Sequence, residues 1–221
     1  MNSEHCLRFS GSANVPSILL VPPLFDEANR MRRTLVLTMH ALSQLGHTTL
    51  LPDLPGQNDS LTKTQDVTLS LWRDALADIT AKEAVPLLIA SWRGGALIDD
   101  AAVNAIGWWR MAPLAGASIV KTLIRVRIAG EKEAGRTVTT DQLRGEIQNG
   151  PIELGGNRLS TAMLNELDAA SPAVVAPLRT VELIEVPGSA LWLRAEPGED
   201  SAMAKAMAAN ISDWAMQCAA G

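Results

Sequence analysis

Tyrosine is absent from the chain and phenylalanine occurs only twice, so no phenol can serve as a general acid or oxyanion donor. The six tryptophans must supply most of the large aromatic volume. Histidine is confined to His5, His40 and His47, and every later segment therefore lacks an imidazole. Cysteine is limited to Cys6 and Cys218, near opposite ends and without metal-ligand spacing, which suggests neither a disulfide framework nor a zinc site. No metal and no cofactor is expected, and a reducing compartment is the default. No run approaches the ~20 apolar residues of a membrane helix, and the first 14 residues lack a basic segment followed by an apolar stretch. These absences predict a soluble, cytoplasmic protein without a membrane span. A net charge of −5 offers no basic field for nucleic acid, and the cluster Arg30, Arg32, Arg33 is too short to create one.

What is present suits one compact domain spanning residues 1–221, since 47% of the residues are hydrophobic and only 19% charged. An apolar run over 17–21 stops at Pro22-Pro23 and reads as a buried strand. Over 29–45 the residues Met31, Leu35, Met39, Leu42 and Leu45 recur at helical spacing, with Gly46 as a C-cap. A second strand over 47–51 closes in the turn-rich Pro52-Asp53-Leu54-Pro55-Gly56. Leu69, Trp72, Leu76 and Ile79 mark a helix over 67–80, followed by a strand over 85–90 and another over 106–111. Such alternation predicts a mostly parallel α/β sheet with helices on both faces. Residues of about 117–165 break the alternation and read as a small helical cap, in which the Glu131-Lys132-Glu133 run is expected to be a solvated helix end. Strands over 181–186 and 190–193 and a helix over 202–216 complete the pattern. Ligands of such sheets bind outside the carboxyl ends of the strands, so segments 22–33, 53–60, 91–95 and 111–116 are expected to line one crevice.

The chemistry-bearing segment is Ser91-Trp92-Arg93-Gly94-Gly95, directly after the strand over 85–90. In the G-x-S-x-G nucleophile elbow, small residues two before and two after the nucleophile let a strand bend sharply into a helix and expose the side chain at the tip. Here Ser91 and Gly95 are those small residues and the tip is Arg93, which stays protonated and cannot attack a carbonyl. The triad order of that fold, Ser then acid then His, also fails, because no histidine follows His47. The pattern predicts an α/β-hydrolase-like architecture without ordinary Ser-His-Asp hydrolysis.

Two readings of Arg93 stand open. It can anchor an anion at the start of the helix expected after the elbow. It can equally form an internal ion pair with Glu27 or Asp59, since a charge at a buried turn requires a partner. Glu27 is a candidate general base, or else part of a loop-holding network with Asn29 and Arg33. Asp59 is a candidate acid/base or a simple cap. Ser91 is the only hydroxyl at the elbow but sits in the small-residue position. Trp92 and Trp192 offer an apolar wall or core filling.

Four segments carry a family resemblance. These are Val21-Pro22-Pro23-Leu24-Phe25-Asp26-Glu27-Ala28-Asn29-Arg30-Met31-Arg32-Arg33, Asp53-Leu54-Pro55-Gly56-Gln57-Asn58-Asp59-Ser60, the elbow with Arg at its tip, and segments 113–130 and 187–192 taken together. In order and content they resemble the second group of exosortase A system-associated hydrolases, α/β-hydrolase-fold proteins encoded near bacterial exopolysaccharide and protein-sorting loci. That group characteristically shows Leu-Arg-Ala-Gly at the elbow, whereas this chain has Trp before the Arg and a second Gly after it. The stretch between Asp168 and Val181 is also short for an acid-bearing strand and loop. The resemblance implies a catalytically degenerate hydrolase fold that binds an anionic, acyl or saccharide ligand, or a protein partner of the sorting and exopolysaccharide system, with a homodimer allowed. The ligand-binding residues expected are Phe25, Glu27, Asn29, Arg33, Trp92, Arg93, Gly94 and Trp192. The alternative is a non-triad hydrolase or transferase in which Arg93 stabilises an oxyanion while Glu27 or Asp59 activates water. Fold likeness alone leaves open whether the protein is an enzyme.

Overall fold

A computed structural model describes residues 4–12, 14–58 and 60–221. Its main sheet has six strands in the order β1-β3-β2-β4-β5-β8, with β1 (Cys6–Phe9) antiparallel to β3 (Thr49–Pro52) and the remaining neighbours parallel. Strands β2 (Ser17–Val21) and β4 (Leu87–Trp92) are buried at every residue, which explains why each reads as an unbroken apolar run. β5 (Ala105–Met111) and β8 (Leu178–Val181) complete the far edge. From β2 the chain passes to β3 on one side and later returns to β4 on the other. The order therefore reverses between β2 and β4, and the crevice at their carboxyl ends is the fold's natural ligand position.

Side-chain alternation divides the core. Ile18, Leu20, Leu88, Ala90, Trp92, Trp109 and Met111 face helices α1 (Asp26–Gln44) and α6 (Ser201–Ala220). Leu19, Val21, Leu87 and Ile89 face α2 (Leu69–Ala81) and the cap. The cap consists of α3 (Gly116–Glu133), α4 (Thr140–Gln148), a hairpin of β6 (Ile152–Leu154) and β7 (Asn157–Leu159), and α5 (Thr161–Ala169). Its residues Leu123, Leu143, Ile147, Leu154, Leu159 and Met163 are continuous with the sheet core, so the cap is packed down rather than appended. Among the described residues no helix is long and apolar enough to cross a membrane.

Several expectations are corrected. α1 begins at Asp26, three residues before the expected start, because its first turn is polar and carries no apolar period. The helix expected after the elbow is replaced by two 3-10 turns, Arg93–Leu97 and Asp99–Ala101. Gly94 and Gly95 weaken helix propensity there. Arg73 then fixes the second turn through the Leu97 carbonyl at 2.9 Å and both Asp100 carboxylate oxygens at 2.7 Å. The strands expected over 181–186 and 190–193 reduce to β8 plus the 3-10 turns Leu183–Glu185 and Leu191–Leu193. A reciprocal cap between Glu182 and Glu185 turns the chain out of the sheet, and Leu191 and Trp192 are buried against α1 without strand pairing. Glu131 is buried between Arg127 and Arg136, not solvated. Cys6 and Cys218 are free thiols.

The cap is held at its root by Gly116, where an added Cβ would lie 1.9 Å from the Leu167 carbonyl oxygen. The obstacle is backbone and cannot swing away. Gly116→Ala is expected to lower stability by about 1–3 kcal/mol, the usual range for overpacking. Chemical denaturation measures the loss, and an unchanged midpoint would show that the α3–α5 contact can yield.

Candidate functional site

The elbow exists in backbone geometry. Arg93 has φ 54°, a left-handed conformation that is strained for a long side chain and persists only where the surroundings enforce it. Enforcement comes from close packing: a Cβ on Gly95 would lie 2.5 Å from the Pro22 carbonyl oxygen, and one on Gly94 would lie 2.7 Å from Ile119 Cδ1. The same strain recurs at Phe25 (φ 56°), Asn58 (φ 50°) and Ala112 (φ 45°). These four residues follow β2, β3, β4 and β5, so the chain is tightly turned at each strand exit around the crevice.

At the tip the guanidinium is clasped from three directions. Arg93 Nε donates to Glu27 Oε2 at 3.1 Å, and a terminal nitrogen donates to Glu27 Oε1 at 3.2 Å. A second terminal nitrogen donates to the Ala112 carbonyl at 3.4 Å. The Trp192 ring lies over the guanidinium carbon, 4.7 Å from it, in cation–π arrangement. Arg30 in turn donates to the Trp192 carbonyl at 3.0 Å, fixing the segment that carries the ring. Arg93 and Glu27 side chains are only 14% and 22% exposed, so each charge depends on the other. Of the two open readings, the internal pair with Glu27 is the one the structure shows. The anion-anchor reading loses its helix, because a five-residue 3-10 turn supplies no α-helical N-terminus.

Behind the tip lies a second buried pair. Ser91 and Asp99 are fully buried and Arg110 nearly so. The Ser91 hydroxyl donates to Asp99 Oδ2 at 2.7 Å, while Arg110 donates to both Asp99 oxygens at 2.8 and 2.6 Å and to the Ala173 carbonyl at 2.7 Å. Burial pushes the Asp99 carboxyl above its ordinary value, opposed by the hydrogen bonds from Arg110 and Ser91. Ser91 thus has no exposed surface and spends its hydroxyl on this network.

The other candidates disperse. Phe25 is buried, its ring 5.5 Å from that of Trp72. Trp92 is buried in the core and donates to Met207 Sδ at 3.3 Å. Gly94 is buried beneath Leu24 and Ile119. Arg33 reaches outward to pair with Glu199, so the expected network of Glu27 with Asn29 and Arg33 does not form. Asp59 lies outside the described residues. His47 bridges the Pro16 carbonyl (2.7 Å) and the Ser212 hydroxyl (2.8 Å), a structural role. Among the described residues no group of three or more His, Cys, Asp or Glu is placed to hold a metal.

A cavity of about 120 Å³ opens between the start of α1, the loop after β3 and the cap hairpin, lined by Phe25, Ala28, Asn29, Gly56, Gln57, Asn58, Thr64 and Asn157. Phe25 and Asn29 are among the residues expected to bind a ligand; Asn157 is not, because its position depends on how the cap hairpin folds back over α1.

No protein-family model and no curated protein matches the sequence. Solved structures do match in fold. Alpha/beta hydrolase domain-containing protein 10 from mouse is 17% identical, with 96% of this chain and 93% of that chain covered at a TM-score of 0.61. Est1E from Butyrivibrio proteoclasticus, solved with ferulic acid bound, is 13% identical with 98% and 96% covered at 0.63. A thermophilic esterase from Thermogutta terrifontis is 14% identical with 96% and 93% covered at 0.55. The chain has the α/β-hydrolase fold.

The mutual dependence of the two charges yields a double-mutant cycle. Arg93→Met and Glu27→Met singly are each expected to destabilise, while the double variant recovers part of the loss, with a coupling of about 1–3 kcal/mol. Additive losses in urea denaturation would contradict the clasp.

Proposed function

We propose that this α/β-hydrolase-fold protein is a binding protein, in which the position of the hydrolytic nucleophile has been given over to a structural cation. The observation that carries the reading is Arg93 at the positive-φ elbow tip, itself bound through two nitrogens to Glu27. A guanidinium cannot form an acyl intermediate, and both Glu27 carboxylate oxygens already accept hydrogen bonds from it. Trp192, in the segment before the last helix, covers Arg93. No described contact brings a histidine to either residue.

In support of a retained ligand site, the strained exits at Phe25, Asn58, Arg93 and Ala112 ring the crevice at the switch point, and strain of this kind clusters where binding needs fixed geometry. The resemblance to exosortase A system-associated proteins extends the proposal to cellular setting: a cytoplasmic component acting beside exopolysaccharide assembly and protein sorting, with a small ligand of that system as its occupant.

The test is turnover of p-nitrophenyl esters from acetate to laurate. The wild-type protein is expected to hydrolyse them no faster than buffer, and Arg93→Ser is expected to remain inactive because a serine placed there has no imidazole beside it. Turnover that is abolished by Glu27→Ala but preserved in Arg93→Ala would overturn the proposal and favour a carboxylate-driven hydrolase.

A further inference from the structure

Resting on the binding-protein reading, we infer that the cavity beneath the cap hairpin takes a neutral, hydroxyl-rich ligand the size of one sugar ring, held by side-chain amides. Four carboxamides line it, Asn29, Gln57, Asn58 and Asn157, with the Thr64 hydroxyl and the Phe25 ring, and none of its described lining residues is charged. Each carboxamide offers two donors and an acceptor, the complement of a hydroxyl, which is both. The internal bonds leave much of that capacity open. Asn157 uses its nitrogen on the Gly155 carbonyl at 2.8 Å and on Asp26 at 3.4 Å, while Asn58 uses its nitrogen on Asp53 at 2.5 Å. Among the described residues neither side-chain oxygen receives a hydrogen bond, and the amides of Asn29 and Gln57 make none.

The described lining offers an anionic ligand no cation. Lys63 and Arg158, the chain neighbours of Thr64 and Asn157, are not among the residues that line it, and four arginines of α1 and the elbow are already engaged. Arg30 pairs with Asp26 and the Trp192 carbonyl, Arg32 with Asp53, Arg33 with Glu199, and Arg93 with Glu27. A phosphate or carboxylate entering the cavity would exchange its hydration for amides alone, without a cation. A neutral polyol surrenders only hydroxyl–water bonds, which the amides replace, and one apolar ring face can lie against Phe25. The volume of about 120 Å³ is well below the ~300–1,000 Å³ of pockets for drug-sized ligands, which limits the occupant to a single ring or the end of a longer chain. Three separate elements supply the walls: the first turns of α1, the loop after β3, and β7 of the cap. Binding would therefore bridge cap and sheet.

The experiment is a titration of the full chain, followed by amide chemical shifts, with glucose, galactose, N-acetylglucosamine and cellobiose. Glucuronate, glucose 6-phosphate and inorganic phosphate serve as charged counterparts. At least one neutral sugar is expected to bind, its affinity falling about tenfold or more in Asn29→Ala/Gln57→Ala, since two net hydrogen bonds are lost. Among the described residues the side-chain amides of Asn29 and Gln57 make no internal hydrogen bond, so the thermal midpoint of that variant should match wild type; Asn157→Ala gives an independent second variant. Glucuronate and glucose 6-phosphate are expected to bind more weakly than glucose. Tighter binding of the charged sugars, affinity unchanged in both variants, or no neutral sugar binding at millimolar concentration would each overturn the inference. Ester turnover would instead defeat the binding-protein reading, so a protein with neither turnover nor sugar binding fails this inference alone.

Discussion

The bond between Arg93 and Glu27 is the constraint on which the crevice depends. A long cationic side chain placed at a left-handed turn, four-fifths or more hidden from solvent, is tolerable only if a carboxylate meets it there. Glu27 does so from the first turn of α1, which ties the loop after β2 to the exit of β4. The Ala112 carbonyl adds the exit of β5, and Trp192 adds the segment leading into α6. One guanidinium thus joins four stretches of chain around the crevice.

The buried Ser91–Asp99–Arg110 network complements this closure from below. In place of a long helix after the elbow, the chain turns twice through 3-10 geometry, and those turns deliver Asp99 to Arg110 on the neighbouring strand. The elbow is therefore braced by ion pairs on both sides of its tip, one buried and one partly open. Gly94 and Gly95 keep the close approach that an exposed nucleophile would need, yet the side chain they present serves cohesion.

Much of this was legible in the sequence because the signals are local. Fully buried strands read as apolar runs over 17–21 and 85–90, the latter found two residues later at 87–92, the period of α1 and α2 followed from Met31, Leu35, Met39 and from Leu69, Trp72, Leu76, and the spacing of Ser91 and Gly95 around Arg93 marked the elbow. Pairing of Arg93 with Glu27 was one of two readings that charge burial allowed. What the sequence did not disclose depends on partners remote in the chain. Arg73 and Arg110 decide the 3-10 turns; Arg127 and Arg136 bury Glu131; the cap hairpin brings Asn157 to α1, 131 positions away from Asp26. Burial of Leu191 and Trp192 gave an apolar pattern that mimicked a strand, although α1 rather than a neighbouring strand covers them.

The central claim is that the elbow cation belongs to the protein's own framework. A high-resolution crystal structure of crystals soaked in concentrated phosphate tests it most directly. The account predicts that Glu27 keeps both hydrogen bonds to Arg93 beneath the Trp192 ring, with no anion on the guanidinium. Phosphate seated on Arg93, with Glu27 displaced, would contradict it and make the elbow an anion-binding site.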